Sequence, residues 1–303
     1  MKLEGIHHIT AITGDAQANL DVYVGLLGLR FVKKTVNFDA PDVYHLYYGD
    51  ELGHPGSAMT FFEFPGARAG RAGAGMIHRV TWRVGDAAAL DFWADRLAAA
   101  DVPVQRADDR LRFADPEGLE LELAAVDVPD PPLAASARDV PPEHALLGFD
   151  GVRAFSARPD ASRNLFESAL GFSFAGPDAW VAPGDSRRGA YAFDAAPTER
   201  GIQGAGTVHH VAWASQDDDH AAWRERLRDA GAHVTPIIDR DYFKSMYFRE
   251  PSGVLFEVAT MSPGFTVDEP AASLGQSLRL PKQHKHLRER LERTLTPLRD
   301  PQA

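Results

Sequence analysis

Four copies of one pattern, each about fifty to sixty residues long, run through the 303 residues of this chain. Each copy has a short apolar strand, an amphipathic helix carrying an aromatic residue and leucines, two or three further strands, and a glycine shortly before the last strand. The order is βαβββ. A unit of this kind cannot bury its sheet face alone, so the copies must pair. The pattern predicts an α+β protein of two domains built from four βαβββ modules, each pair forming a cup-shaped sheet with helices outside.

The first copy places a strand over residues 7–12, a helix over 19–27 closed by Gly28, and strands near 30–36, 43–48 and 57–62. Leu20, Tyr23, Val24 and Leu27 recur at the spacing of a helix lying on a sheet. The second copy has strands over 77–84, 111–114 and 119–123 and a helix over 87–99. The third has a strand over 151–155, a helix over 163–170 stopped by Gly171, and strands near Phe172, Trp180 and 190–193. The fourth opens with a strand over 208–213, continues with a helix over 221–230, and ends in strands near Val234, 246–249 and 254–258. Between copies two and three, residues 127–145 carry Pro129, Pro131, Pro132, Pro141 and Pro142, which forbids a helix or a central strand. That stretch reads as a linker between an N-terminal domain, 1–126, and a C-terminal domain, 146–303. A basic helix over 283–294 closes the chain and reads as a surface brace.

Repeated strands can be compared position by position. His8 of the first copy and His210 of the fourth hold the same place in the opening strand, where the second copy has Arg79 and the third Gly151. Four residues beyond the glycine ahead of the last strand stand Glu257, Glu122, Thr60 and Phe193, in copies four, two, one and three. Pairing copies one and four collects His8, His210 and Glu257, with Thr60 at the fourth corner. Two imidazoles and a carboxylate beside a corner that cannot ligate are the set that suits iron(II) and leaves positions for substrate and dioxygen. The other pair offers only Arg79, Gly151 and Glu122, so no second metal is expected. Arg79 and Glu122 should instead form a cross-strand ion pair, with His78 one residue off the ligand position. Glu63 reads as a rim residue unless a bulge turns it inward. His7 and His209 alternate to the other side of an ideal strand, to pack beneath the sheet or, through a bend, to reach the substrate as acid or base.

Composition removes other classes. The net charge is -11 and the one basic run, 282–293, is short, so nucleic acid is not expected as a partner. No cysteine is present, which excludes disulfides and thiolate metal sites and suits a reducing compartment. Residues 1–5 lead straight into a strand without a signal-peptide core, and no apolar run is long enough to span a bilayer, so a cytoplasmic protein without a membrane partner is expected.

The fourfold βαβββ repeat resembles the vicinal oxygen chelate superfamily, which includes glyoxalases, extradiol catechol dioxygenases and fosfomycin-resistance proteins. More narrowly, Leu3-Glu4-Gly5-Ile6-His7-His8-Ile9-Thr10, Arg30-Phe31-Val32-Lys33-Lys34-Thr35, Tyr44-His45-Leu46-Tyr47-Tyr48, Val208-His209-His210 and Gly264-Phe265-Thr266-Val267-Asp268-Glu269 resemble hydroquinone ring-cleaving dioxygenases. The resemblance implies Fe(II) on His8, His210 and Glu257, and a substrate pocket lined by His209, Arg240 and Tyr247 as the catalytic residues. It implies an extradiol-type opening of a small aromatic diphenol, a hydroquinone, with O2. Where that branch has glycine after the arginine, this chain has Asp241. Two other functions compete: a glyoxalase-like isomerase or lyase on zinc, nickel or manganese, which needs a fourth ligand such as Glu63, and a non-catalytic binder of small aromatics, which needs no metal. Assembly into a homo-oligomer stays open.

Overall fold

The computed structural model of the protein describes residues 1–302. The first module comprises β1 (Leu3–Thr13), α1 (Ala16–Leu20) widening into a π-helical turn over Asp21–Leu26, β2 (Arg30–Val36), β3 (Tyr44–Gly49) and β4 (Ala58–Glu63). The second has β5 (Met76–Val84), α2 (Ala87–Ala99), β6 (Gln105–Arg106), β7 (Arg110–Ala114) and β8 (Glu120–Ala125). The third has β9 (Phe149–Ser156), α3 (Asp160–Asn164) widening over Leu165–Ala169, β10 (Ser173–Gly176), β11 (Ala179–Ala182) and β12 (Gly189–Ala195). The fourth has β13 (Val208–Ser215), α4 (His220–Asp229), β14 (Ile238–Asp239), β15 (Lys244–Arg249) and β16 (Leu255–Thr260). The tail runs through a 3-10 segment, Lys282–Leu287, into α5 (Arg288–Thr294).

Local chemistry explains the helix ends. Asp15 and Asp86 accept hydrogen bonds from the amides of Ala18 and Ala89 at 3.0 and 2.9 Å, the usual side-chain cap. All four residues of the Leu20, Tyr23, Val24, Leu27 stripe are buried, and side chains of this size contribute roughly 1.5–3 kcal/mol each. The π-turns are not visible in the periodicity. Leu27 N bonds Val22 O at 2.8 Å and Leu170 N bonds Leu165 O at 2.9 Å, the same widened turn in modules one and three. Each is followed by a left-handed glycine, and a Cβ on Gly28 would stand 2.8 Å from Val140 Cγ2. The strand expected near Val234 falls instead at Ile238–Asp239: the Thr235 amide bonds the carbonyl of Tyr247 at 3.0 Å, but Pro236, which has no N–H to donate, follows it and breaks the pairing before Ile238.

Two eight-stranded curled sheets result, ordered β14-β15-β16-β13-β1-β4-β3-β2 and β10-β11-β12-β9-β5-β8-β7-β6. Module one therefore pairs with module four, through antiparallel β1 and β13, and module two with module three, through β5 and β9. Residues 127–141 form neither helix nor strand, as their prolines require. They do not separate two self-contained sheets, however: the division at 127–145 lies inside the second sheet, and the first sheet takes strands from both sides of it. The core is shared as well. Phe166 of the third module stacks 5.9 Å from Phe256 of the fourth, and Phe172 lies 4.8 Å from Trp213. Among the described residues no helix is long and apolar enough to cross a membrane.

Candidate metal centre and its cavity

The central joint of the first sheet sets the site. Thr10 of β1 faces His210 of β13, His8 faces Ala212, and Ala212 is in turn beside Glu257 of β16, so three side chains from three adjacent strands meet on one face. One ligand atom from each of His8, His210 and Glu257 lies within 4.8 Å of the others, and all three residues are buried. His8 Nε2 and His210 Nε2 are 3.3 Å apart, and Glu257 Oε2 stands 3.3 and 3.0 Å from them. Sequence register alone selected this trio, and the fold brings it together.

The surroundings fix which nitrogens carry protons. His7 Nε2 lies 3.1 Å from the carbonyl oxygen of Thr260, which only accepts, so the hydrogen of a neutral His7 is on Nε2 and its Nδ1 is bare. His8 Nδ1 is 2.9 Å from that bare atom and must donate to it, which leaves the lone pair of His8 Nε2 facing Glu257. His209 Nδ1 meets His210 Nδ1 at 2.8 Å, and with the proton of that bond on His210 the lone pair of His210 Nε2 likewise faces Glu257. Burial pushes the His210 imidazole toward its neutral form. It also opposes ionisation of Glu257, but positive charge at His8 and His210, the kind of charge a cation among the three groups would supply, holds the carboxyl well below its ordinary range. Ser245 Oγ donates to Glu257 Oε1, while Oε2 has no hydrogen-bond donor. Two imidazole lone pairs and a carboxylate oxygen that no donor satisfies, gathered in a buried spot, repel one another unless a cation lies among them. The donor set therefore fits a divalent transition metal, and oxygen and nitrogen without sulfur suit iron, manganese or zinc.

A cavity of ≈ 350 Å³ of empty space, partly open to solvent, adjoins these atoms. Arg240 and Tyr247 line it, with Arg240 Nε donating to the Tyr247 hydroxyl at 3.3 Å. Burial would lower the Arg240 guanidinium, but Tyr247 and Asp39 hold it charged. His209 does not line this cavity: its exposed ring opens to a separate pocket beside Arg249, so it stands behind His210 instead of facing a substrate. A register shift between Ile6 and His8 turns the buried His7 ring to within 4.9 Å of Phe243, outside the cavity wall.

Sequence reasoning missed His45, Tyr47 and Ser245. Tyr47 faces Thr60 across β3 and β4 as Tyr247 faces Glu257 across β15 and β16, and His45 holds the place of Ser245. His45 Nε2 meets Thr60 Oγ1 at 2.9 Å, Nδ1 meets the Tyr47 hydroxyl at 2.9 Å, and Thr60 meets Thr10 at 2.8 Å. A large imidazole over a small threonine thus fills the corner where module four has a small serine under a glutamate. Burial, then the neighbouring His8 and His210, push His45 well below its ordinary pKa. The repeat itself carried this signal, because 45 and 47 align with 245 and 247.

Other expectations are corrected here. Glu63 is buried away from the trio, where its Oε1 accepts from the Ala16 amide at 3.2 Å at the start of α1, so it does not complete a four-ligand set. In the third module the residue matching Glu257 is Ala192, one before Phe193, because Gly189 already lies within β12. Arg79 stands opposite Glu120 in β8 and bonds it at 3.0 Å, while Glu122 is held at 2.6 Å by both Arg110 and Arg112 and only loosely, at 3.9 Å, by Arg79. Register decides this: the residue opposite Glu122 in β5 is Thr81. His78 bonds Asp194 at 2.8 Å and stacks on Phe155. Among the described residues the second sheet gathers no metal-ligand set.

Residues 5–123 and 148–258 match the family model described as the Glyoxalase/Bleomycin resistance protein/Dioxygenase superfamily. The chain belongs to that superfamily. MhqO of Bacillus subtilis strain 168, named a putative ring-cleaving dioxygenase, is 41% identical over 309 residues, covering 98% of this chain and 97% of its own. The chlorohydroquinone/hydroquinone 1,2-dioxygenase of Sphingobium indicum is 33% identical over 318 residues, covering 97% of this chain and 96% of its own. A crystal structure of a putative dioxygenase from Bacillus subtilis superposes with a TM-score of 0.90 at 39% identity, over 99% of this chain and 98% of that one. Glyoxalase I of Zea mays superposes at 0.60 with 15% identity, over 85% of this chain and 92% of that one, a likeness of fold.

Proposed function

We propose that this enzyme is an iron(II)-dependent, extradiol-type ring-cleaving dioxygenase that opens a hydroquinone with O2, with the metal on His8, His210 and Glu257. The observation that carries the reading is the Arg240–Tyr247 pair, bonded at 3.3 Å, in the same cavity as the three-atom ligand face. A para-diphenol cannot bring both hydroxyls to one metal. Its second hydroxyl must be held by protein donors, and a charged guanidinium beside a phenol is such a pair. Relatives with ring-cleaving and hydroquinone dioxygenase names, one of them 41% identical, support the same class.

Bound iron(II) would supply Lewis acidity toward the phenol and electrons toward dioxygen. The chain's own groups do the rest. Ser245 orients Glu257, and His7 and His209 fix the two imidazoles through their Nδ1 atoms, so the ligand face is set before substrate arrives. Arg240 and Tyr247 orient the ring. Of the imidazoles outside the ligand trio, His45 is the one that faces the cavity, and it takes the proton-carrying role that sequence had given to His209. Its two nitrogens lie between hydroxyls that both donate and accept, so a proton arriving at Tyr47 Oη can pass to His45 Nδ1 and return by the same path to the ring-opened product.

The test is anaerobic loading with iron(II), followed by oxygen uptake on hydroquinones, catechol and gentisate. Uptake fastest with a hydroquinone, slowed more than tenfold in Tyr247→Phe with bound iron unchanged, is the expected result. Faster turnover of catechol than of any hydroquinone, or uptake without iron, overturns the proposal.

A further inference from the structure

We infer that the C-terminal segment Lys282–His284 is a clasp across the cavity mouth that positions Arg240 and Phe38 and so sets which ring substituents are admitted. Two stretches from opposite ends of the chain form that mouth: Asn37–Asp39, from the loop after β2, and Arg240, from the turn after β14. They touch directly. Arg240 lies 5.2 Å above the Phe38 ring and its Nη1 is 3.5 Å from Asp39. The tail then joins the same two stretches from outside. The Lys282 amide donates to Asp241 at 3.0 Å, Lys282 Nζ reaches the other Asp241 oxygen at 3.0 Å, and His284 Nε2 donates to the carbonyl of Phe38 at 2.8 Å. Three consecutive tail residues thus span from the neighbour of Arg240 to the neighbour of Asp39.

The rest of the tail is anchored for this. Leu280 and Leu291 pack on Val36, Arg290 pairs with Asp42 at 2.8 Å, and the Tyr44 hydroxyl donates to Thr296 O at 3.0 Å, so the segment is bound to the edge of the first sheet. Asp241 gives the most pointed sign. Its φ is +67°, a left-handed conformation that aspartate adopts in turns, as Asp101 and Asp178 also do. What bears on the clasp is that both carboxylate oxygens of Asp241 are engaged by Lys282.

The specificity half rests on the reading proposed above; the clasp itself does not. Hydrogen exchange on the full, iron-loaded chain is compared for the parent, Asp241→Gly, Asp241→Asn and His284→Ala. Asp241→Gly relaxes the backbone, so its thermal stability is expected to match or exceed the parent's. The amides of Asp39, Ala40 and Val43, some two hundred residues away, are nonetheless expected to exchange roughly 3- to 10-fold faster, as for the loss of one hydrogen bond of average strength. His284→Ala speeds the same amides, and Asp241→Asn, which keeps an acceptor for the Lys282 amide and tolerates positive φ, stays within about twofold of the parent. On substrates, Asp241→Gly and His284→Ala raise KM more for an unsubstituted than for a bulky hydroquinone, with bound iron unchanged. Unchanged exchange at 39–43 in both variants overturns the clasp whatever the activity. Altered exchange with identical KM ratios overturns its role in specificity. A parent that consumes no oxygen with any hydroquinone overturns the proposed function alone, since the exchange result still decides the clasp.

Discussion

Two glutamates in matching strands, both buried, illustrate how differently one residue type behaves in the two sheets. Glu257 is surrounded by two imidazoles and a serine, with one oxygen that no donor satisfies, whereas both oxygens of Glu122 are bonded to arginines. Replacing Glu257 by Gln removes the one negative ligand and puts an NH2 group among acceptors, so the variant is expected to lose tight metal binding. Replacing Glu122 by Gln is expected to keep one metal per chain. It should cost about 1–2 kcal/mol, because Arg110 and Arg112 are 34% and 46% exposed and water replaces much of what they lose. Metal content and urea unfolding of the two variants check both statements. Metal lost from the Glu122 variant alone would show that the centre lies in the other sheet.

At the scale of elements, the return segment after β16 is held by a charge that would otherwise be costly. Lys33 of β2 is fully buried, and its Nζ donates to Phe265 O at 3.0 Å and to Asp268 and Glu269 at 2.7 Å each. The Gly264–Glu269 motif is thereby tied to the sheet beside Tyr242 and Phe243, and Phe243 packs against His7 and His8. Lys33→Met leaves Glu269, 1% exposed, with only the Ser277 amide at 3.3 Å and Arg279 at 3.5 Å, and a loss of roughly 3–5 kcal/mol is expected in urea unfolding. The double variant Lys33→Met, Glu269→Gln should recover part of it. The β7–β8 loop gives a pH signature. Burial pushes the Asp115 carboxyl from 3.8 up to about 6, against the pull of the Leu119 amide and the Tyr23 hydroxyl. A carboxyl whose native pKa is raised binds its proton more tightly when folded, so its contribution is full below pH 3.8 and is lost as pH rises to about 6. Asp115→Asn keeps the backbone acceptor and abolishes the titration. Its urea midpoint, relative to the parent's, should rise between pH 4 and 6.5, by up to roughly 3 kcal/mol of stability. A constant difference across that range would refute this.

For the molecule as a whole, the decisive fact is that strands from the two ends of the chain lie side by side. β1 carries His8, and β13 and β16 carry His210 and Glu257, so the three side chains of the candidate metal centre meet by closing a loop of about two hundred residues. Residues 1–126 and 146–303 made separately each lack half of both sheets. Neither is expected to bind metal or unfold cooperatively, whereas co-expression should restore one metal per complex. Stoichiometric metal on residues 146–303 alone would contradict the sheet pairing. The tail belongs to the same economy of ends, since Lys282–His284 joins a turn of module four to a loop of module one.

The sequence by itself determined the four modules, because a period-2 strand, a 3.6-period helix and a stop glycine are local patterns that recur with each copy. It also brought His8, His210 and Glu257 together as candidate ligands, since a repeat turns register into an internal alignment and only copies one and four carry imidazole at the first-strand position. It could not show that the proline-rich stretch interrupts a sheet instead of dividing two. Pairing of β1 with β13 is a contact between residues about two hundred apart, decided by which faces bury together and not by any local preference. The π-turns after α1 and α3 were hidden for a related reason, because a widened turn leaves the apolar stripe nearly unchanged. Side-chain partners were least legible. That His209 stands behind His210 while His45 faces the cavity, and that Glu122 answers to Arg110 and Arg112, depends on bulges and on rotamers that only the packed sheet selects.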